Sequence, residues 1–525
     1  MMKLLWSLGG ALVICAAHPA GGLDVARVES GVDAAIARFG VTGKGVIVAT
    51  LDRGIDWKHS DFRNEDGTTR IKWIFDLTDD TGANAPGNTY SKGTIYTEAQ
   101  INAALANNTN LATRDAVGHG TTTAGIAAGN GRGLSSRKYR GVAPDASLLV
   151  VKIIAGAPAH GTEPAEASFY DPARVLVGMD FVRDKAKELG MPCVMLPNYG
   201  SIEGPTDGTS PLARKIDSIV APGLLFVNGP GDEGGMPNRA TGTLTQGGTA
   251  SVDIQKGQAG PLRFHLWYSG SDRFNVSIVT PSGTFGPYAA PANDTSASIT
   301  QPNVFTYTHT GAEKTTALNG KRQIIIQLTG PAGTYAVRLQ GTTVSEDGRF
   351  NAGLNPSTIA QPPASANGFL SFGHPGNLGN IWDGATAVLN ICPGDYVIRT
   401  HWTDIDGIAR SHTTEGTVGQ IWKGSSAGPT YDGRLGVDLC APGDSLFTTY
   451  GAKSFWATAR HNLIQGGDGK YGRANAVSAA APFATGVIAL MLQMNPGLDA
   501  ATAKKILQET ARADSFTGAV PNPQW

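Results

Sequence analysis

Three side chains in this sequence have the types needed for nucleophilic acyl chemistry, and they lie far apart along it. Ser478 sits in Val477-Ser478-Ala479-Ala480-Ala481-Pro482-Phe483-Ala484-Thr485-Gly486. A serine hydroxyl is a poor nucleophile until a base takes its proton and a third group orients that base. Among 10 histidines, His119 stands out, set in Asp115-Ala116-Val117-Gly118-His119-Gly120-Thr121-Thr122-Thr123-Ala124-Gly125-Ile126. Glycine on both sides lets other segments approach the ring closely, which an ordinary core histidine does not need. The acid candidate is Asp52, which ends Gly45-Val46-Ile47-Val48-Ala49-Thr50-Leu51-Asp52 just before Arg53-Gly54. Taken singly, Ser478 also reads as an N-cap in an alanine-rich turn and Asp52 as a strand-end turn residue.

Such groups need rigid elements beneath them. Residues 487–494 are an apolar run of helix-forming composition, and Pro482 is expected in that helix's first turn. A serine at a helix start has unpaired backbone N–H groups and the positive end of the dipole beside it, which stabilise developing negative charge. His119 leads into a small-residue helix. Residues 45–52 read as a buried strand, and a carboxylate at its C-terminal end sits where α/β sheets keep their sites. A helix over 173–189 and a strand over 193–196 give the alternating elements of a parallel sheet.

With these residues in place the chain resembles the subtilases, the subtilisin-like serine peptidases. The order acid, histidine, serine is theirs. Asp52-Arg53-Gly54-Ile55-Asp56 with His59 and Asp61-Phe62 is similar to their aspartate motif, Gly118-His119-Gly120-Thr121 to the histidine motif, and 478–486 to the serine motif. Gly141-Val142-Ala143-Pro144, residues 425–434 and Ala441-Pro442-Gly443 match framework motifs in the same order. The resemblance covers about 40–235 and 380–515. It implies a three-layer α/β core on a parallel sheet, an acyl-enzyme mechanism on Asp52, His119 and Ser478, and polypeptide substrates. It also implies that Asn198, Tyr199 and Gly200 line the pocket for the residue before the cleaved bond, for which a bulky or apolar side chain is expected.

Several positions depart from the family pattern. Arg53 replaces a small hydroxyl residue, Ala476-Val477 stands where Gly-Thr is usual, and Thr122 replaces a histidine. The oxyanion-hole asparagine aligns with Asp232 in Asn228-Gly229-Pro230-Gly231-Asp232-Glu233-Gly234. A carboxylate only accepts hydrogen bonds, whereas a protonated carboxyl can donate. Asn228 is a second candidate donor. Asp232 keeps open the alternative of a weak or inactive subtilase-fold pseudoprotease with a binding or regulatory role.

The remaining sequence sets the frame. With 525 residues, 41% apolar composition and a net charge of −1, the chain has room for two cores and no electrostatic case for nucleic-acid or membrane-surface binding. Met1-Met2-Lys3 and the apolar run 4–17 read as a signal peptide over 1–20, predicting a secreted or periplasmic protein with no other membrane segment. Residues 23–39 read as one amphipathic helix, too short for the independently folded pro-region of many secreted subtilases. Three cysteines remain, Cys193, Cys392 and Cys440, and burial is expected. Asp76, Asp79 and Asp80 read as a solvated loop or as part of a structural calcium site; no other cofactor is expected.

The composition shifts near Gly235. Strands over 263–268, 274–279, 323–328 and 335–339, punctuated by Pro-Ser-Gly and Pro-Ala-Gly, predict an inserted antiparallel β-sandwich. Trp267-Tyr268, 280–283, Gly333-Thr334-Tyr335 and 347–350 resemble the jelly-roll insert of germination-type subtilases of spore-forming bacteria, whose role is to rigidify the protease fold. Carbohydrate or protein binding is the other reading. The expected division is 21–236 and 379–525 for the catalytic core, its second part C-terminally incomplete, and 237–378 for the insert. A last amphipathic helix is expected over 499–511.

Overall fold

The computed structural model describes residues 23–355 and 379–516. The signal-peptide reading falls outside the described residues. Eight helices carry the argument: α1 Leu23–Glu29, α2 Val32–Phe39, α3 Glu98–Ala106, α4 His119–Ala128, α5 Pro172–Leu189, α6 Pro211–Ile219, α7 Val477–Met494 and α8 Ala500–Thr510. The single helix expected over 23–39 is two, because Gly31 takes φ 79° and turns the chain between α1 and α2.

Strands β1 Ile47–Asp52, β2 Ile71–Asp76, β3 Thr94–Thr97, β4 Ser147–Lys152, β7 Cys193–Pro197 and β8 Leu224–Phe226 form one sheet, in the order β3-β2-β4-β1-β7-β8. The hairpin β5 Ile154–Ala157 and β6 Glu166–Tyr170 lies outside it. All pairs in the sheet are parallel except β2–β3. Every residue of β1 is buried. That is why its sequence is a near-continuous apolar run rather than an alternating one, since a parallel sheet is covered on both faces.

One face packs α4 and α7 with Val48, Val150, Val194 and Leu196. The other packs α5 and α6 with Ala49, Leu51, Val151 and Met195. This is the three-layer α/β core expected. Helix α7 is long and apolar enough to cross a membrane, but 78% of it is buried in the fold, where it is the central core helix. The three cysteines are free, with Cys193 and Cys392 buried and Cys440 half-buried.

Between the two halves of the core, ten strands build two antiparallel sheets around a core of their own. One sheet orders Thr249–Lys256, Gly333–Thr343, Arg273–Thr280 and Gly283–Tyr288. The other orders Ser296–Gln301, Phe305–Thr310, Lys321–Leu328, Leu262–Ser269, Arg349–Asn355 and Arg239–Thr243. Strands such as Arg273–Thr280 and Lys321–Leu328 alternate half-buried and buried residues along their whole length, as a face packed on a second sheet requires. The insert grips the chain that follows β7. Trp267 Nε1–H donates to Glu203 O at 3.0 Å, Asn351 Nδ2–H to Pro205 O at 3.0 Å, and Asn355 Nδ2–H to Glu203 Oε1 at 2.8 Å.

Candidate active site

The C-terminal end of β1 delivers Asp52, which is buried. His119 is the first residue of α4, and its Nδ1 lies 2.7 and 2.8 Å from the two Asp52 oxygens. The glycines on either side have separate tasks. Gly118 takes φ +110°, and a Cβ on Gly120 would collide with the carbonyl oxygen of Gly54, the turn that follows Asp52. Helix α4 can therefore start directly against the aspartate turn. Asp115 sets that start by accepting hydrogen bonds from Gly118 N–H, Thr121 N–H and Thr121 Oγ1–H, each at 2.8 Å.

Asp52 is held by two further donors: the Arg53 backbone N–H at 2.7 Å and Thr123 Oγ1–H at 2.9 Å. Burial opposes a charge on His119, but the Asp52 charge and hydrogen bond, with Asp115 behind them, outweigh it and hold the imidazole pKa above its ordinary value. Trp456 packs edge-on to the His119 ring with centroids 5.6 Å apart. Its segment is pinned by Phe455 N–H to Ala116 O at 2.8 Å and Trp456 N–H to Val117 O at 3.0 Å.

Ser478 is the second residue of α7. Pro482 is the sixth, one turn later than expected, and that position has a consequence. Proline has no N–H, so the Ser478 carbonyl lacks its partner four residues on. Asn198 supplies the missing donor, Nδ2–H to Ser478 O at 2.8 Å, and also reaches Thr123 Oγ1 at 2.8 Å. A continuous set of hydrogen bonds thus runs from the Ser478 backbone through Asn198 and Thr123 to Asp52 and His119. Ser478 Oγ makes no hydrogen bond among the described residues, as is common for an unliganded nucleophile.

Two expectations about neighbouring residues change. Asn198 is buried and its Nδ2 donors are spent on holding α7 to α4, so it does not donate through them to a ligand. Asn228 is no alternative oxyanion donor, since its amide is turned inward to Pro197 O and, at 3.2 Å, to Tyr199 O. Tyr199 packs edge-on to Tyr170 of β6, with ring centroids 5.9 Å apart, and Gly200 lies against the indole of Trp382.

Asp232 lies at the start of α7. Helix α7 begins on Ala476, which has no side chain to cap it and sits at φ 71°, ψ 177°. Asp232 caps it from another segment, Oδ1 accepting the Val477 N–H at 3.0 Å. Burial lifts the Asp232 carboxyl pKa to about 6, against the lowering effects of that N–H and of the nearby His119 charge. The carboxyl is therefore protonated and able to donate in mildly acid solution.

Asp76, Asp79 and Asp80 are not gathered as a ligand set. Asp80 is gripped by Arg174 at 2.6 Å, and that hydrogen bond holds its carboxyl at about 2; Asp79 caps Thr81 N–H at 3.0 Å; Asp76 accepts from Thr78 N–H at 2.9 Å. Among the described residues no group of three or more His, Cys, Asp or Glu is placed to hold a metal.

Comparisons with known proteins agree with this architecture. The Subtilase family model matches residues 43–524. The chain is 30% identical over 196 residues to the major intracellular serine protease of Bacillus subtilis (strain 168), covering 37% of this chain and 45% of that protein, so it spans less than half the length of this curated relative. The solved CspB protease of Clostridium perfringens has the same fold, with a TM-score of 0.71 at 21% identity and 95% of each chain covered. The parallel sheet, its two helical layers and the match across almost all of the described core make this chain a member of the subtilase family.

Proposed function

We propose that this protein is an exported serine endopeptidase. Ser478 Oγ attacks the peptide carbonyl, His119 takes the proton through Nε2 and returns it to the leaving amine, and Asp52 fixes the tautomer and orientation of His119. Water then hydrolyses the acyl-enzyme by the same route. The Ser478 backbone N–H and the protonated Asp232 carboxyl face the oxyanion. The observation that carries this reading is the His119 Nδ1 contact with both Asp52 oxygens, on a hydrogen-bond network that ends at the Ser478 backbone.

The sandwich acts in this reading as a jelly-roll brace of the germination-type subtilases. Its bonds to Glu203 and Pro205, on the segment that follows Gly200, support that role. Export rests on the charged and apolar pattern of residues 1–20.

The test is labelling of purified protein by a fluorophosphonate, which an activated serine attacks at phosphorus, forming a stable phosphonate ester and expelling fluoride. Labelling that disappears in Ser478→Ala is the expected result. No labelling of the native protein, rescued by Asp232→Asn, would mean an oxyanion hole silenced by its carboxylate. No labelling in either overturns the peptidase reading in favour of a binding protein.

A further inference from the structure

Two loops flank the nucleophile. One follows β7, where Asn198 holds the Ser478 carbonyl at 2.8 Å and Gly200 comes two residues later. The other follows β8, where Asp232 holds the Val477 N–H at 3.0 Å and Gly231 comes one residue earlier. Strands β7 and β8 are adjacent and parallel, so the loops leave the same edge of the sheet side by side. On the peptidase reading above, which puts the pocket for the residue before the cleaved bond at Asn198, Tyr199 and Gly200, that side chain enters the slot between these two loops beside Ser478.

A third segment closes the inner end of this slot. Trp382 N–H donates to Pro230 O at 2.7 Å and Asp383 N–H to Ser201 O at 2.9 Å, so the backbone at 382–383 ties the two loops together. The Trp382 indole lies between the glycines. A Cβ built on Gly200 would meet its Cε3 at 2.5 Å and Cδ2 at 2.8 Å, and one on Gly231 would meet Cδ1 and Cε2 at 2.5 Å and collide with Nε1. Both walls therefore have to be glycine for the ring to fit, and the ring is in contact with both.

We infer that Trp382 is a specificity-determining residue. It fills the depth of the slot and restricts the residue before the cleaved bond to a short side chain, a narrower choice than the bulky or apolar residue expected from the sequence. This rests on the peptidase reading above. A pocket wall rejects an oversized group far more strongly than it rejects an undersized one, because interiors are close-packed and the two backbones behind the indole cannot retreat. Differences of about one or two methylene groups in such a slot change kcat/KM by roughly 10- to 200-fold.

The experiment uses the full chain and a series of peptide amides that differ only in the residue before the leaving group: alanine, serine, leucine and phenylalanine. Rates are normalised to enzyme titrated with the fluorophosphonate, for the native protein, Trp382→Phe and Trp382→Ala. The expected result is a native preference for alanine or serine over phenylalanine of at least about tenfold, falling stepwise through Trp382→Phe and reversing in Trp382→Ala. A native protein that is labelled yet prefers phenylalanine overturns this inference alone. So does an unchanged order of preference in both labelled variants, and Trp382→Phe keeps that comparison available if Trp382→Ala fails to fold. A native protein that is neither labelled nor active fails earlier, at the peptidase reading, and takes this inference with it.

Discussion

At the scale of single residues, the proposed chemistry makes two opposed demands on protonation. Asp232 donates to an oxyanion only while protonated, and its pKa is about 6. His119 accepts a proton only while neutral, and its pKa is held above the ordinary 6.5. Little of the enzyme meets both conditions at any pH, so the native profile should be a low, narrow bell. Asp232→Asn supplies a donor at every pH. Its expected effect is to abolish the alkaline decline and raise turnover at pH 8 by about 10²-fold, within the 10²–10³ known for this donor in subtilisin itself. An unchanged pH profile would show that Asp232 does not face the oxyanion. Ala476 offers a second test. Its backbone angles are ones that glycine adopts freely and alanine does not, at a strain of order 1–3 kcal/mol. Ala476→Gly should therefore raise the urea-unfolding free energy by about 1 kcal/mol, provided Asp232 still caps Val477. The types and order of Asp52, His119 and Ser478 single them out in the sequence, and the structure brings the first two into contact. The role of Asn198 was not legible, because it follows from a carbonyl that Pro482 leaves free 284 residues further on.

At the scale of elements, Asn198 adds to the apolar packing of α4 on α7 a hydrogen-bonded link through that same carbonyl. Asn198→Ala leaves a buried acceptor unpaired and unlinks Ser478 from Thr123, which should lower stability by about 1–3 kcal/mol and slow fluorophosphonate labelling. Loss of stability with an unaltered labelling rate would confine Asn198 to a structural part. Helices with strong local signals were readable: 173–189 appears as Pro172–Leu189 and 499–511 as Ala500–Thr510. The insert was read as four strands where ten form among the described residues. Gly283–Tyr288 and Ser296–Gln301 are outer strands of their sheets with little buried surface, so their sequences lack the apolar alternation that announces a strand. Arg239–Thr243 was missed for a related reason, being a short outer strand that begins on an arginine buried against Gly379 O and Asn351.

For the whole molecule, the joint between sandwich and core carries its own pH dependence. His265 is buried on the insert in contact with Gly353 and close to Ile202 of the pocket loop. Burial, reinforced by the charges of Arg239 and Arg263, pushes its pKa well below 6.5. The unfolded chain takes up this proton below pH 6.5 and the native one does not, so stability falls as pH drops through that value. Asp383, at the same joint with its carboxyl lifted to about 6 by burial, acts in the opposite sense, losing stability as pH rises from about 4 to 6. Comparing the native protein with His265→Leu isolates the first effect. The variant's relative stability should improve by up to about 1.4 kcal/mol per pH unit below 6.5, read from urea melts at pH 7 and pH 5. A difference that stays constant with pH would mean that His265 takes up its proton as readily in the folded state as in the unfolded one. Helix α7 packs on α4, β7 and the strands Pro393–Val397 and Leu439–Asp444. Asp52 and His119 emerge from the ribosome well before Ser478, which follows His119 by 359 residues, and the three strands that hold α7 all precede it in the sequence. In the proposed peptidase a nascent chain therefore carries acid and base without a nucleophile until α7 has been made, and the burial of that one helix decides when a harmless polypeptide becomes a blade.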